Sequence, residues 1–241
     1  MRHLLLLFAL AVAVATAGEA VVSGRRARLD AEAARGERLL PGTMVRWHER
    51  TDPDNARVIV DEAVTVCRRW PGLKPSLVRI ESHQRGWPGH HALAFAGGRG
   101  EPGRYSIEFH AERWDGDRLA EAKRVTNHEL GHTMEFLCEH QGLEESVYAL
   151  FNRRSKGDFN KVRRAYEADP KGPGRADTYD KVFHRESEYW ADAFQQSRYG
   201  RDDWYTREQR RLIREAGGER KPAPVEPGDD PSELPQVVVL K

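Results

Sequence analysis

A single pentapeptide, His128-Glu129-Leu130-Gly131-His132, limits what this chain can fold into. If residues 117–140 are helical, the two histidines stand one turn apart on the same face. Their imidazoles can then grip one metal ion, with Glu129 beside it as a base for a bound water. The motif fixes only three residues, so its surroundings must support it. Asp115, Gly116 and Asp117 offer a turn and an N-cap immediately upstream. Leu119, Ala122, Thr126, Leu130, Thr133, Met134 and Leu137 form one broad stripe at helical period, and His128, Glu129 and His132 form another. A buried stripe beside a cleft-facing one is what a helix carrying a site requires. Gly131 costs such a helix about 1 kcal/mol relative to alanine, which points to close approach of a second element.

A helix binding one metal through two histidines needs further ligands from elsewhere. A catalytic metal takes three protein ligands and keeps one position for water. A third histidine six residues after His132 is ruled out, because that position is Cys138, and His140 comes two residues too late. A carboxylate on a later helix is the other solution, and Glu188 fits. Asp192, four residues on, shares its face and can accept the free N–H of a ligating histidine. Glu135, three after His132, can serve similarly from the first helix.

The remaining chain supplies an α+β order. Asp52-Pro53-Asp54 opens a helix that Pro71-Gly72 stops, with Val58, Ile59, Ala63, Val66 and Cys67 at helical spacing. Strands are expected at Leu77–Ile80, Ala92–Ala96 and Tyr105–His110. The last strand alternates cleanly and is placed to run along a cleft, where it can pair with an extended substrate. His83, His90 and His91 read as loop residues, since adjacent strand residues point oppositely and chelate poorly. Helices follow over Leu143–Phe151, around Phe159–Tyr166, from near His184, and over Trp204–Ile213, with residues 175–183 a loop carrying Tyr179.

The expected organisation is a signal peptide (1–17), a marginal helix or flexible lead-in that could be a pro-segment (18–40), one domain (41–216) and a Pro-rich disordered tail (217–241). Arg2 and His3 precede an apolar run from Leu4 to Ala15, and Ala15-Thr16-Ala17 fits a cleavage site, so export is expected with no membrane span after cleavage. The net charge of +1 gives no bulk reason to expect nucleic acid as a partner. Cys67 and Cys138 are the only cysteines, a possible bridge in an exported chain but not a thiolate metal site.

HELGH with Glu135 downstream, followed by Glu188-Tyr189-Trp190-Ala191-Asp192-Ala193-Phe194, resembles zincin peptidases of the gluzincin type. In particular, it is similar to the catalytic domain of the anthrax toxin lethal factor group, over roughly residues 105–195. The resemblance implies a zincin-like α+β domain holding Zn2+ through His128, His132 and Glu188, with Asp192 as an outer carboxylate. It implies peptide-bond hydrolysis with Glu129 as general base and a peptide or protein as substrate. It also implies a tyrosine shortly before the glutamate that steadies the oxyanion. Tyr179 is the nearest candidate, at a longer spacing than the group's, with His184 in reserve. A non-hydrolytic zinc-binding exported interaction protein is the competing reading, which the presence of Glu129 disfavours. A secreted toxin or effector protease with one protein target shares the chemistry.

Overall fold

The computed structural model describes residues 22–84, 94–98, 103–110, 119–168 and 175–217. The expected signal peptide, the His90-His91 pair, the Asp115-Gly116-Asp117 cap and all but the first residue of the Pro-rich tail lie outside the described residues.

Residues 22–39, expected as a lead-in or pro-segment, form a helix, α1, that is built into the core. Leu29, and Leu40 just past the helix, are buried. Gly36 allows close approach: a Cβ there would lie 2.9 Å from Val45 Cγ2 and 3.2 Å from Val60 Cγ2. Arg28 and Arg35 pair with Asp54 and Asp61 of the next helix. The packed unit therefore begins before Pro41.

That next helix, α2 (Pro53–Arg69), starts at Asp52, whose carboxylate accepts the N–H of Asp54 at 2.8 Å and of Asn55 at 3.3 Å. Pro53 sits in the first turn, where its missing N–H costs nothing. Arg68 and Arg69 meet the negative helix end, and a 3-10 turn at Pro71–Leu73 ends the run.

The sheet has four strands, β1 (Met44–Arg46), β2 (Leu77–His83), β3 (Ala94–Gly98) and β4 (Tyr105–His110), in the order β1-β2-β4-β3. β1, β2 and β4 run parallel, and β3 is antiparallel to β4. The β1–β2 connection contains α2, the crossover that a parallel pair requires. Val45, Ile80 and Ile107 stand in register on neighbouring strands, all buried in the one core that α2 and α3 also line. β4, the strand expected to offer an edge to an extended substrate, has both sides occupied, by β2 and β3. Among the described residues β1 and β3 are the edge strands, and β3 lies next to the helix that carries the histidines.

That helix, α3 (Leu119–Cys138), is central. Ala122, Thr126, Leu130, Thr133, Met134 and Leu137 are buried as the stripe requires, while Leu119 is exposed. A π-helical turn, Glu139–Leu143, with Gly142 at φ +81°, leads into α4 (Glu144–Arg154). There follow α5 (Asp158–Ala168), α6 (Arg175–Ser197) and α7 (Trp204–Gly217). Asp203 caps α7: its carboxylate accepts the Thr206 N–H at 2.9 Å, and its own N–H donates to Thr206 Oγ1 at 2.9 Å. α6 begins nine residues before the expected start, so Tyr179 lies in a helix and not in a loop. The protein is thus α+β, a small mixed sheet with α3 against it and a helical C-terminal part. No helix among the described residues is long and apolar enough to cross a membrane.

Candidate metal centre

The site exists because α3 and α6 come unusually close, and Gly131 is the reason they can. A Cβ at Gly131 would stand 2.7 Å from Ala191 Cα and 3.0 Å from the Ala191 carbonyl oxygen. Backbone therefore lies against backbone, and only hydrogen fits between. Trp190 locks the crossing by donating its indole N–H to the Gly131 carbonyl at 2.9 Å. The indole is fully buried, and the Trp190 carbonyl accepts from Gln209 of α7 at 2.7 Å.

On this crossing the two histidines, four apart on α3, face Glu188 of α6. His128 Nε2 lies 3.1 Å from Glu188 Oε2, and His132 Nε2 lies 3.5 Å from Glu188 Oε1. One donor atom from each residue lies within 4.8 Å of the other two. Around a four-coordinate metal with bonds of roughly 2.1 Å, neighbouring donors sit about 3.4 Å apart, so the set fits one ion.

The far nitrogens of both rings are engaged. His128 Nδ1 is 2.9 Å from Asp192 Oδ1. His132 Nδ1 is 3.2 Å from Ser187 Oγ, and Ser187 donates its hydroxyl to Glu135 Oε2 at 2.7 Å. An ionised carboxylate only accepts, and the Ser187 proton is committed to Glu135, so both rings carry their proton on Nδ1. Each Nε2 faces Glu188, and loss of its proton leaves a lone pair aimed at that space. This arrangement could hold a metal ion through His128, His132 and Glu188.

Electrostatics agree with that geometry. Burial opposes protonation of His132, but hydrogen bonds to Glu135 and Glu188 and the charge of Glu129 outweigh it and lift its pKa to about 10. His128 is likewise raised, burial being overcome by Glu188 and Glu129. Glu188 is held well below the usual carboxylate range, first by His128 and then by His132. The pocket favours positive charge in front of Glu188, whether from protons or from a cation. Glu129 is buried and acts on both rings, in keeping with its place beside His128.

The other sequence candidates divide. His184 stands one turn before Glu188 on α6, exposed, with Nδ1 3.7 Å from Glu188 Oε1. Tyr179 is not brought to the cluster. Nine helical residues separate it from Glu188, about 13.5 Å along the axis and half a turn round. Its ring is stacked between Tyr166 and Phe183, with centroids 4.3 Å and 5.6 Å away. Glu186, two residues before Glu188, faces away from the site, buried against Arg154 and Ser155. Cys67 and Cys138 are buried free thiols, and burial pushes the Cys67 thiol up to about 12 and the Cys138 thiol up as well. Ser187 had no signal of its own in the sequence beyond its place next to Glu188.

A second donor group joins Glu81, His83 and Glu108 on β2 and β4. His83, expected in a loop, is the last residue of β2, with Nε2 3.5 Å from Glu81 Oε1 and 3.4 Å from Glu108 Oε2. Here Arg79 already lies 2.9 Å from Glu81 Oε1 and supplies positive charge.

Comparison of the chain with protein families, with curated proteins and with solved structures gives no match to any of them.

Proposed function

We propose that this protein is an exported zinc-dependent peptidase with a zincin-like catalytic domain. The observation that carries the reading is the meeting of His128, His132 and Glu188 from two separate helices, with the carboxylate of Glu129 next to them. Two imidazoles and one carboxylate are a donor set suited to catalytic zinc, leaving a fourth position for water. Bound there, zinc acidifies a water and polarises a carbonyl.

The chain's own residues take the remaining parts. Glu129 removes a proton from the attacking water and returns it to the leaving amine. His184, exposed one turn before Glu188, is the side chain that reaches the developing oxyanion, the part first assigned to Tyr179 or His184. The substrate is a peptide or protein segment in extended form. It adds to the outer edge of β3, since β4 has no free edge.

Glu129→Gln tests this reading. Peptide hydrolysis falls by roughly 10²–10⁴-fold while one equivalent of Zn2+ is retained. Full activity in that variant, or activity that survives chelation in the wild type, contradicts the proposal. Zinc binding with no hydrolysis of any peptide library favours the non-hydrolytic interaction protein instead.

A further inference from the structure

The two histidines are oriented by unlike partners, and the difference is one of depth. Asp192, which holds His128, has a side chain 49% exposed, whereas Glu135, which holds His132 through Ser187, is 0% exposed. Among the described residues Glu135 Oε1 has no hydrogen-bond partner, so the carboxylate's described hydrogen bonding is concentrated on Oε2. Oε2 accepts from Ser187 at 2.7 Å and lies 3.7 Å from His132 Nδ1. A buried carboxylate is costly unless a positive charge or a strong donor compensates it. The compensation available on this side of α3 runs through Ser187 to the His132 ring.

We infer that Ser187 and Glu135 form a buried hydroxyl–carboxylate relay that positions His132 as a metal ligand, and that it matters more than the exposed Asp192 contact on His128. Ser187 is a positioning residue and not a catalytic one. Its hydroxyl accepts the Nδ1 proton and donates its own to Glu135. That fixes both the tautomer and the ring plane, and Nε2 is left aimed at Glu188. The arrangement also explains why a hydroxyl residue, able to donate and accept at once, stands directly before Glu188.

This inference rests on the proposed zinc site, and the experiment separates the two. Competition against a chelator measures Zn2+ affinity for the full chain and for Ser187→Ala, Ser187→Thr, Glu135→Gln and Asp192→Asn. Nitrogen-15 spectra report the hydrogen bond made by the His132 Nδ1–H in the metal-free protein. The relay requires a 10–100-fold loss of affinity in Ser187→Ala and Glu135→Gln. It also requires restoration toward wild type in Ser187→Thr, which keeps the hydroxyl, and a smaller loss in Asp192→Asn. The His132 Nδ1 signal shifts in Ser187→Ala, a change that a merely structural role would not produce. Unchanged affinity and unchanged His132 signals in Ser187→Ala overturn the relay while leaving the zinc site standing. Absence of Zn2+ binding by the wild type overturns both.

Discussion

Among the described residues two groups assemble histidine and glutamate at ligand-like spacing, and one of them has the makings of a metal centre. In the α3–α6 group the histidines are braced from behind, by Asp192 at 2.9 Å and by Ser187 at 3.2 Å, so their Nε2 atoms converge on Glu188. In the sheet group a single half-exposed histidine is wedged between two carboxylates, and Arg79 sits 2.9 Å from one of them. Donors in proximity are common. Donors whose other hydrogen-bonding atoms are already committed are the informative case.

The largest effect is expected from breaking the first group. Glu188→Ala or His132→Ala should lower Zn2+ affinity by more than the 10–100-fold typical of losing an outer partner. Metal analysis after dialysis checks this, and retention of a full equivalent would erase the distinction drawn here.

Next in size is Gly131→Ala. The added methyl would stand 2.7 Å from Ala191 Cα, so α3 and α6 must part. Overpacking of this kind costs about 1–3 kcal/mol. Denaturant unfolding should register that loss, together with weakened Zn2+ binding, while the sheet group is undisturbed. Normal stability and affinity would mean the helix contact does not build the site.

A smaller effect is expected with pH in the metal-free protein. His132, raised to about 10 from an ordinary 6.5, contributes stability that is complete below 6.5 and is lost as pH rises through about 10. Glu188, lowered from an ordinary 4.5, contributes stability that is present above 4.5 and is lost on acidification. Thermal melts should therefore place this pair's contribution highest between pH 4.5 and 6.5. Solvent around Glu188, whose side chain is 41% exposed, moderates its size. Zn2+ displaces protons from the imidazoles, so loading should move the optimum upward. An optimum that ignores metal would detach these residues from it.

The smallest effect is expected from His83→Ala, under about 1 kcal/mol in stability, as for a part-exposed ion pair. No change in metal content should accompany it.

How far the sequence carried this picture depends on where the information lay. The i, i+4 histidines, the helical stripe of α3 and the alternation of Tyr105–His110 are local patterns, and each marks an element that the structure contains. Gly131 pointed to a close crossing because a glycine inside a helix demands a reason. What escaped lay between elements. Three-residue β1 is too short to show a period. The Ala- and Arg-rich composition of α1 allows a helix but hides the burial of Leu29 and of Leu40 just past it, and its place in the fold is set by partners on α2 and β1. The interior position of β4 depends on pairing order, which no single strand encodes. Tyr179 was sought by spacing, but continuing α6 back to Arg175 rotates it half a turn from Glu188. The Glu81–His83–Glu108 group was invisible because Glu108 lies on β4 while Glu81 and His83 lie on β2.

One titration addresses the central claim directly. Zn2+ is added to the metal-free wild type, Glu188→Ala and His83→Ala at one pH, and bound metal is counted per chain. The account predicts one tight equivalent in the wild type and in His83→Ala, and none in Glu188→Ala. Equal binding by Glu188→Ala, or a tight equivalent that only His83→Ala removes, would contradict it.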